Sequence, residues 1–226
     1  MRVNKDSSNN KRHHIQAINK DIIDLYNMAF HEAIVPQKTE TYRAPRNRII
    51  VDASDKYFIE PPKEEYKMDD WLHKHAFCYE IRLGPESDEN VFALMQQDLN
   101  RSFDFTGQIE KRKLKCLVLI TKKGPDRTVS KSPDAKPNIM AEKGKITLTN
   151  TPVSELINLL AYANDHLKTP VVDCSGIKNR VDLTILGKLR DIDSIKKQLQ
   201  FYNLDLVEKE MEIDMLVIKD KKQPDQ

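Results

Sequence analysis

Residues 169–185 read TPVVDCSGIKNRVDLTI. Val171 and Val172 form a β-branched run that stops at Asp173, while Val181, Leu183 and Ile185 alternate with Asp182 and Thr184. Both patterns predict strands. CSGIKNR, between them, carries Gly176, which tolerates positive φ, so it reads as the turn of a hairpin. Upstream, KITLT at 145–149 predicts another strand. Thr151, Pro152 and Glu155 then suit the cap, first position and first turn of a helix whose buried face is Val153, Leu156, Ile157, Leu160 and Ala163. Downstream, a helix from Asp193 turns Ile195, Leu199 and Tyr202 inward. LDLVE at 204–208 and EIDMLVIKD at 212–220 predict a closing hairpin.

The first half follows the same order. In IQAINKDIIDLYNMAF (15–30), Ile15, Ile18, Ile22, Leu25 and Ala29 stand at helical spacing. The short apolar AIVP (33–36), a polar turn and the strand-like NRIIVDA (47–53) follow. Pro61-Pro62 interrupts regular structure, EEYKMDDWLHKH (64–75) predicts a short helix, and AFCYEIRL (76–83) predicts a strand with Phe77, Tyr79, Ile81 and Leu83 on one face. Ser87 or Asp88 is the expected cap of a helix striped by Val91, Phe92, Met95 and Leu99. FDFTG (103–107) and KLKCLVLI (113–120), joined by QIEKR, predict a hairpin.

Asn47-Arg48 and Asn179-Arg180 each precede a strand, and Phe103-Asp104-Phe105 matches Leu204-Asp205-Leu206. The expectation is an α+β fold of two repeated helix–strand–strand–helix–hairpin units, in a two-layer sheet-and-helix architecture. The corresponding domain plan is a polar lead at 1–14, a first unit at 15–120 with an insert at 54–87, a Pro-rich charged linker at 121–140, a second unit at 141–220 and a tail at 221–226.

Composition narrows the function classes. Lys and Arg number 37 against 35 Asp and Glu, a balance of +2 that gives no general pull on nucleic acid. The cluster EKRKLK at 110–115 lacks interleaved aromatics and reads as a solvated tip. No apolar run approaches the ~20 residues of a membrane span. MRVNKDSSNNKRHH lacks the apolar core of a signal peptide and reads as a polar linker, so the chain is expected to be a soluble piece of a longer protein. Three cysteines without a CxxC pair indicate neither a disulfide framework nor a zinc finger. His73 and His75 have no third ligand at metal-binding spacing, so neither a metal nor a cofactor is expected.

The block Pro170-Val171-Val172-Asp173-Cys174-Ser175-Gly176-Ile177, followed by Val181-Asp182-Leu183-Thr184, resembles a bacterial domain family of unknown function associated with soil acidobacteria. Leu204-Asp205-Leu206 and the strand Met215-Leu216-Val217-Ile218-Lys219 extend the likeness, and LYNMAF, RIIVDA and the segment 91–120 carry it into the first half. The resemblance implies a periplasmic or other extracytoplasmic location. It also implies fusion, in some members, to thioredoxin-like envelope proteins or sensor peptidases. No catalytic residue comes with it. Cys174 stands where members carry Lys or another polar residue, so it is not a family nucleophile.

Four residues are candidates for binding. Cys174 is a thiol in a turn ahead of Gly176, with the cations Lys178 and Arg180 close in sequence. Asp173 can accept backbone N–H groups of the turn, and Asp182 points toward solvent. Arg48 and Arg180, similarly placed in the two halves, suit an anion or a carboxylate partner. Cys116 shares the apolar face of Leu114, Val118 and Ile120 and belongs to the core. With no nucleophile–base set, the expected function is a non-catalytic interaction or sensing module that takes a protein partner along an exposed strand edge. The alternatives are an accessory domain of an envelope thiol–disulfide protein, or a small-ligand binder between the two units.

Overall fold

A computed structural model describes residues 2–5, 12–35, 44–62, 64–84, 86–124, 127–142 and 144–221. Most of the polar lead, the polar turn after residue 35 and the tail beyond Lys221 lie outside the described residues. The elements are β1 (Arg2–Lys5), β2 (Arg12–Lys20), α1 (Ile22–Ile34), β3 (Ile49–Asp52), α2 (Lys56–Ile59), α3 (Met68–His75), β4 (Phe77–Arg82), α4 (Val91–Ser102), β5 (Phe105–Thr121), β6 (Asn138–Glu142), β7 (Lys145–Thr151), α5 (Val153–Ala163), β8 (Val171–Asp173), β9 (Val181–Leu186), α6 (Ile192–Phe201) and β10 (Leu204–Asp220). The fold is α+β. Its chain forms two compact units, Met1–Ala44 with Arg48–Lys111 and Asp214–Gln226, and Pro45–Asn47 with Arg112–Ile213.

In the first unit, β1, β2 and β4 make an antiparallel sheet in that order. Its apolar face packs under α1 and α4 around Ile15, Ala17, Tyr26, Met95 and Leu99. The helix expected from Ile15 starts only at Ile22. Asp21 is its N-cap, accepting from the Asp24 backbone N–H at 2.6 Å. Asn19, in the left-handed region at φ 52°, sits at the irregularity of β2 between Ala17 and Lys20, just before the helix cap. Ile15 and Ala17 alternate into the core, whereas Ile18 is 54% exposed, so the segment follows the strand period and not the helical one. Residues Ala33 and Ile34 end α1, and Val35 is its C-cap, so the described part of AIVP is helix and cap, while Pro36 lies outside the described residues. NRIIVDA supplies β3, which pairs in parallel with Leu216–Lys219 of β10. The α4 stripe is buried as read, but Asn90, not Ser87 or Asp88, caps it, accepting from the Phe92 N–H at 2.9 Å. Gly107 is required where it stands: a Cβ there would lie 2.4 Å from Tyr26 Cδ1.

In the second unit, β6, β7 and β9 form an antiparallel sheet in that order. Leu148, Leu156, Leu160, Leu183, Ile195 and Leu199 are core residues of this unit. Asn150, at φ 50°, sits at the irregularity of β7 between Leu148 and Thr151, just before α5, and Pro152 rather than Thr151 holds the N-cap position. β8 pairs in parallel with Leu117–Leu119 of β5, whereas β9 pairs with β7. CSGIKNR therefore connects strands of different sheets and is not a hairpin turn. The segment after Thr121 is largely exposed but anchored: Thr128 is 1% exposed, and Val129 bridges Val181.

Both expected hairpins are instead continuous strands of 17 residues, β5 and β10. Their charged middles, QIEKRK and VEKEME, contain none of the Gly, Pro, Asn or Asp that a turn demands. Within the second unit they are laced by ion pairs, Lys113–Glu210 at 3.1 Å and Lys115–Glu208 at 2.6 Å. Phe105 and Leu204 are the strand starts, while Phe103 and Tyr202 are the C-caps of the preceding helices, so the FDF and LDL triplets stand at different points. Arg48 likewise leads into β3 and Arg180 into β9, different places in the order of elements. No helix among the described residues is long and apolar enough to cross a membrane.

Candidate functional site

The turn after β8 is organised by Asp173. Its Oδ1 accepts from the Ser175 backbone N–H at 2.8 Å and from the Ser175 hydroxyl at 2.7 Å, and Ser175 Oγ accepts from the Ile177 N–H at 3.2 Å. Gly176 follows at φ 71°. The backbone of Cys174 donates to the Leu119 carbonyl at 2.9 Å, and the Thr121 hydroxyl donates to the Ser175 carbonyl at 2.7 Å. Cys174 itself is an exposed free thiol, as is Cys78, while Cys116 is free and buried. Asp173 and Cys174 thus share one turn in which the carboxylate holds backbone.

The two arginines serve separate elements. Arg48 donates from Nη2 to the Ile34 carbonyl at 3.1 Å, closing the C-terminal end of α1. Arg190 does the same for α5, donating from Nε to the Ala163 carbonyl at 3.0 Å. Arg180 donates from Nη1 to the Asn150 carbonyl at 2.9 Å. Asp182, expected to be solvated, joins this group. It accepts from the backbone N–H groups of Asn150 and Lys131, both at 2.8 Å. Partial burial pushes the Asp182 carboxyl up, but these two N–H groups, the Ser130 hydroxyl and the Lys131 charge outweigh it and hold the carboxyl below its usual range. Asn150, 2% exposed, donates to the carbonyls of Pro133 and Ala135. Sequence reasoning missed this network because its partners, residues 128–135, looked like bare linker.

The histidines do not converge. His73 is exposed on α3, whereas His75 is buried, its ring stacked on Trp71 with centroids 4.9 Å apart. Among the described residues no three His, Cys, Asp or Glu side chains could hold a metal ion. His14, from the polar lead, is 8% exposed and bonds Glu80 Oε1 through Nε2 at 2.8 Å, which holds the Glu80 carboxyl below its usual range.

The described residues form a pocket in each unit. In the first, about 500 Å³ is floored by Phe58, Phe77, Phe103 and Phe105 and rimmed by Asp55, Asp104 and Asp220. In the second, about 560 Å³ is lined by Arg127, Val129, Lys131 and Phe201 together with the threonines of β7 and β9. The sheet edges also differ. The outer edge of β9 is closed by side chains: the Thr184 N–H donates to the Tyr202 hydroxyl at 2.9 Å, and Gln198 both accepts from the Leu186 N–H and donates to its carbonyl, each at 2.7 Å. β6 pairs with β7 along one side, and all 5 of its residues are exposed.

No curated protein and no solved structure matches the chain. A family model described as protein of unknown function (DUF3738) matches residues 55–198. That span runs from the Asp55 cap of α2 into α6, takes in the Asp173 turn, the Asp182 network and β6, and covers well over half of the 226 residues. The chain therefore belongs to the DUF3738 family of proteins of unknown function.

Proposed function

We propose that this chain is a non-catalytic, extracytoplasmic interaction module of two repeated α+β units, which takes an extended segment of a partner protein as a strand added to β6. The open edge of β6 carries the reading. Ile139 and Met140, 38% and 48% exposed, stand on opposite faces of a strand whose outer side pairs with nothing among the described residues. An incoming strand gains backbone hydrogen bonds there and one apolar contact on each face. The plugged edge of β9 leaves β6 as the accessible side of that sheet. The repeat is supported by the matching sheet orders β1–β2–β4 and β6–β7–β9, each with a register shift and a left-handed Asn, Asn19 or Asn150, just before a helix. The extracytoplasmic location, and the fusion to a thioredoxin-like or sensor protein, rest on the family resemblance.

The test is site-specific photocrosslinking in cells that make the protein, from positions 139 and 140, with Leu186 on the plugged edge as control. The expected result is one partner peptide captured from both β6 positions, not from 186, and lost in Met140→Pro, which removes a backbone donor. Equal capture at 186, no capture from β6, or capture that survives the proline sinks strand addition. A thiol–disulfide role is favoured by one observation, the exposed thiols of Cys78 and Cys174. Unchanged partner capture in a Cys78→Ser/Cys174→Ser double variant argues against it.

A further inference from the structure

The pocket of the second unit combines features that the strand-edge reading does not use. Arg127 is held in place: Nη1 donates to the Phe201 carbonyl at 3.3 Å, and the guanidinium lies over the Phe201 ring, 5.4 Å from its centroid. One of its five donors is thereby used, and the rest bond nothing among the described residues. The Lys131 ammonium forms no ion pair among the described residues, although its charge acts on Asp182. Asp182 lines the same pocket, but both of its oxygens already accept backbone N–H groups. The hydroxyls of Thr147, Thr149 and Thr184 are also lining groups with no hydrogen bond among the described residues. Beside these groups lie two exposed apolar side chains, Phe201 at 64% and Val129 at 43%, with Leu148 and Leu183 behind them.

We propose that this pocket binds a small organic carboxylate with an aromatic or acyl body. The acid group would meet the guanidinium and ammonium, whose charge-assisted hydrogen bonds are the strong ones. The threonine hydroxyls supply further donors, and the body covers Phe201 and Val129. A volume of about 560 Å³ lies in the small-molecule range. Holding Arg127 against Phe201 before binding reduces the ordering cost of the complex. This inference is independent of the β6 edge, since no residue of β6 lines the pocket.

The test is a titration of the full isotope-labelled chain, followed by amide chemical shifts. The probes are phenylacetate and octanoate, with benzylamine as the charge-inverted control and inorganic phosphate as the ion-only control. Saturable shifts confined to Thr147, Thr149, Thr184, Phe201 and their neighbours are expected with the two carboxylates and not with benzylamine. Arg127→Gln and Lys131→Gln, both exposed positions, should each weaken binding ~10-fold, the loss of one charge-assisted contact. Phe201→Ala should weaken octanoate and phenylacetate while leaving the amide spectrum of the core unchanged. The proposal is overturned if neither carboxylate gives saturable shifts here, if the two charge variants bind as well as the parent, or if phosphate alone binds as tightly as phenylacetate.

Discussion

The connection after β3 and the connection after β8 leave similarly placed strands, yet one becomes structure and the other stays a turn. Residues 53–76 carry α2 and α3, send Ile59 into the core, and group Tyr57, Phe58, Trp71 and His75 into an aromatic cluster. Trp71, 2% exposed, fixes that cluster to the chain by donating from Nε1 to the Tyr57 carbonyl at 2.8 Å. Residues 174–180 have few apolar side chains to bury, so the turn is held by hydrogen bonds of Asp173, Ser175 and Thr121 and by the Cys174 backbone bond to β5. The pockets diverge in the same way, one rimmed by three aspartates and the other by Arg127 and Lys131. Each unit has an antiparallel three-stranded sheet, β1–β2–β4 or β6–β7–β9. Asp55 and Phe58 of the first connection line the first pocket, whereas no residue of 174–180 lines the second, whose Arg127 and Lys131 come from the segment between β5 and β6.

The largest expected effect breaks the first connection. Trp71→Ala should destabilise the protein by ~3–5 kcal/mol, the usual cost of emptying a buried indole site. Urea unfolding with hydrogen exchange would read it, and protection should fall first across residues 56–75. An unchanged midpoint would reduce the insert to an ornament.

A smaller effect compares the two left-handed asparagines. Asn150→Ala loses two donated hydrogen bonds at a buried site in addition to the left-handed preference, and should cost ~2–3 kcal/mol. Asn19→Ala, at an exposed site, should lose the backbone preference and one weak contact from the Cys78 thiol, ~1 kcal/mol. Equal losses would mean that the anchoring of residues 133–135 contributes nothing.

Acid should act on both units. The Asp182 and Glu80 carboxyls are held below their usual values when folded. Their contributions are therefore complete above the unfolded values, ~3.9 for Asp and ~4.3 for Glu, and are lost as pH falls through the lower folded values. Asp182→Asn should flatten the acid limb of a stability–pH curve, with Glu80→Gln doing so less because the Glu80 carboxylate is itself exposed to solvent. The smallest effect falls in the second connection. Asp173→Ala should cost ~1 kcal/mol, the price of a lost turn acceptor, and Cys174→Ser should stay within ~0.5 kcal/mol. A larger loss from Cys174→Ser would give the thiol a structural role that its exposure does not suggest.

Period-two alternation at Phe77, Tyr79 and Ile81 and helical stripes at Val91–Leu99 and Val153–Leu160 were legible because burial on one face imposes them directly on the sequence. Residues 15–20 misled because Ile15, Ile18 and Ile22 fall by chance at helical spacing; the Asn19 and Asp21 signals, a left-handed residue and a cap, were the local clue. The long strands misled because their solvated middles have the composition of hairpin tips. The absence of turn residues was the available signal against that. Nothing in the sequence could show that residues 128–135 meet Asp182 and Asn150, or that Arg127 lies on Phe201, since those partners are distant in the chain.

By itself the sequence determined the α+β class, the helix faces, most strands and a likeness to a domain family of unknown function, all of which depend on local pattern. Tertiary structure alone decided which strand lies beside which, why Arg180 and Asp182 hold backbone, which sheet edge stays open among the described residues and where Arg127 and Lys131 meet exposed apolar side chains. Periodicity records how far a side chain is buried. It carries no record of which distant segment buries it.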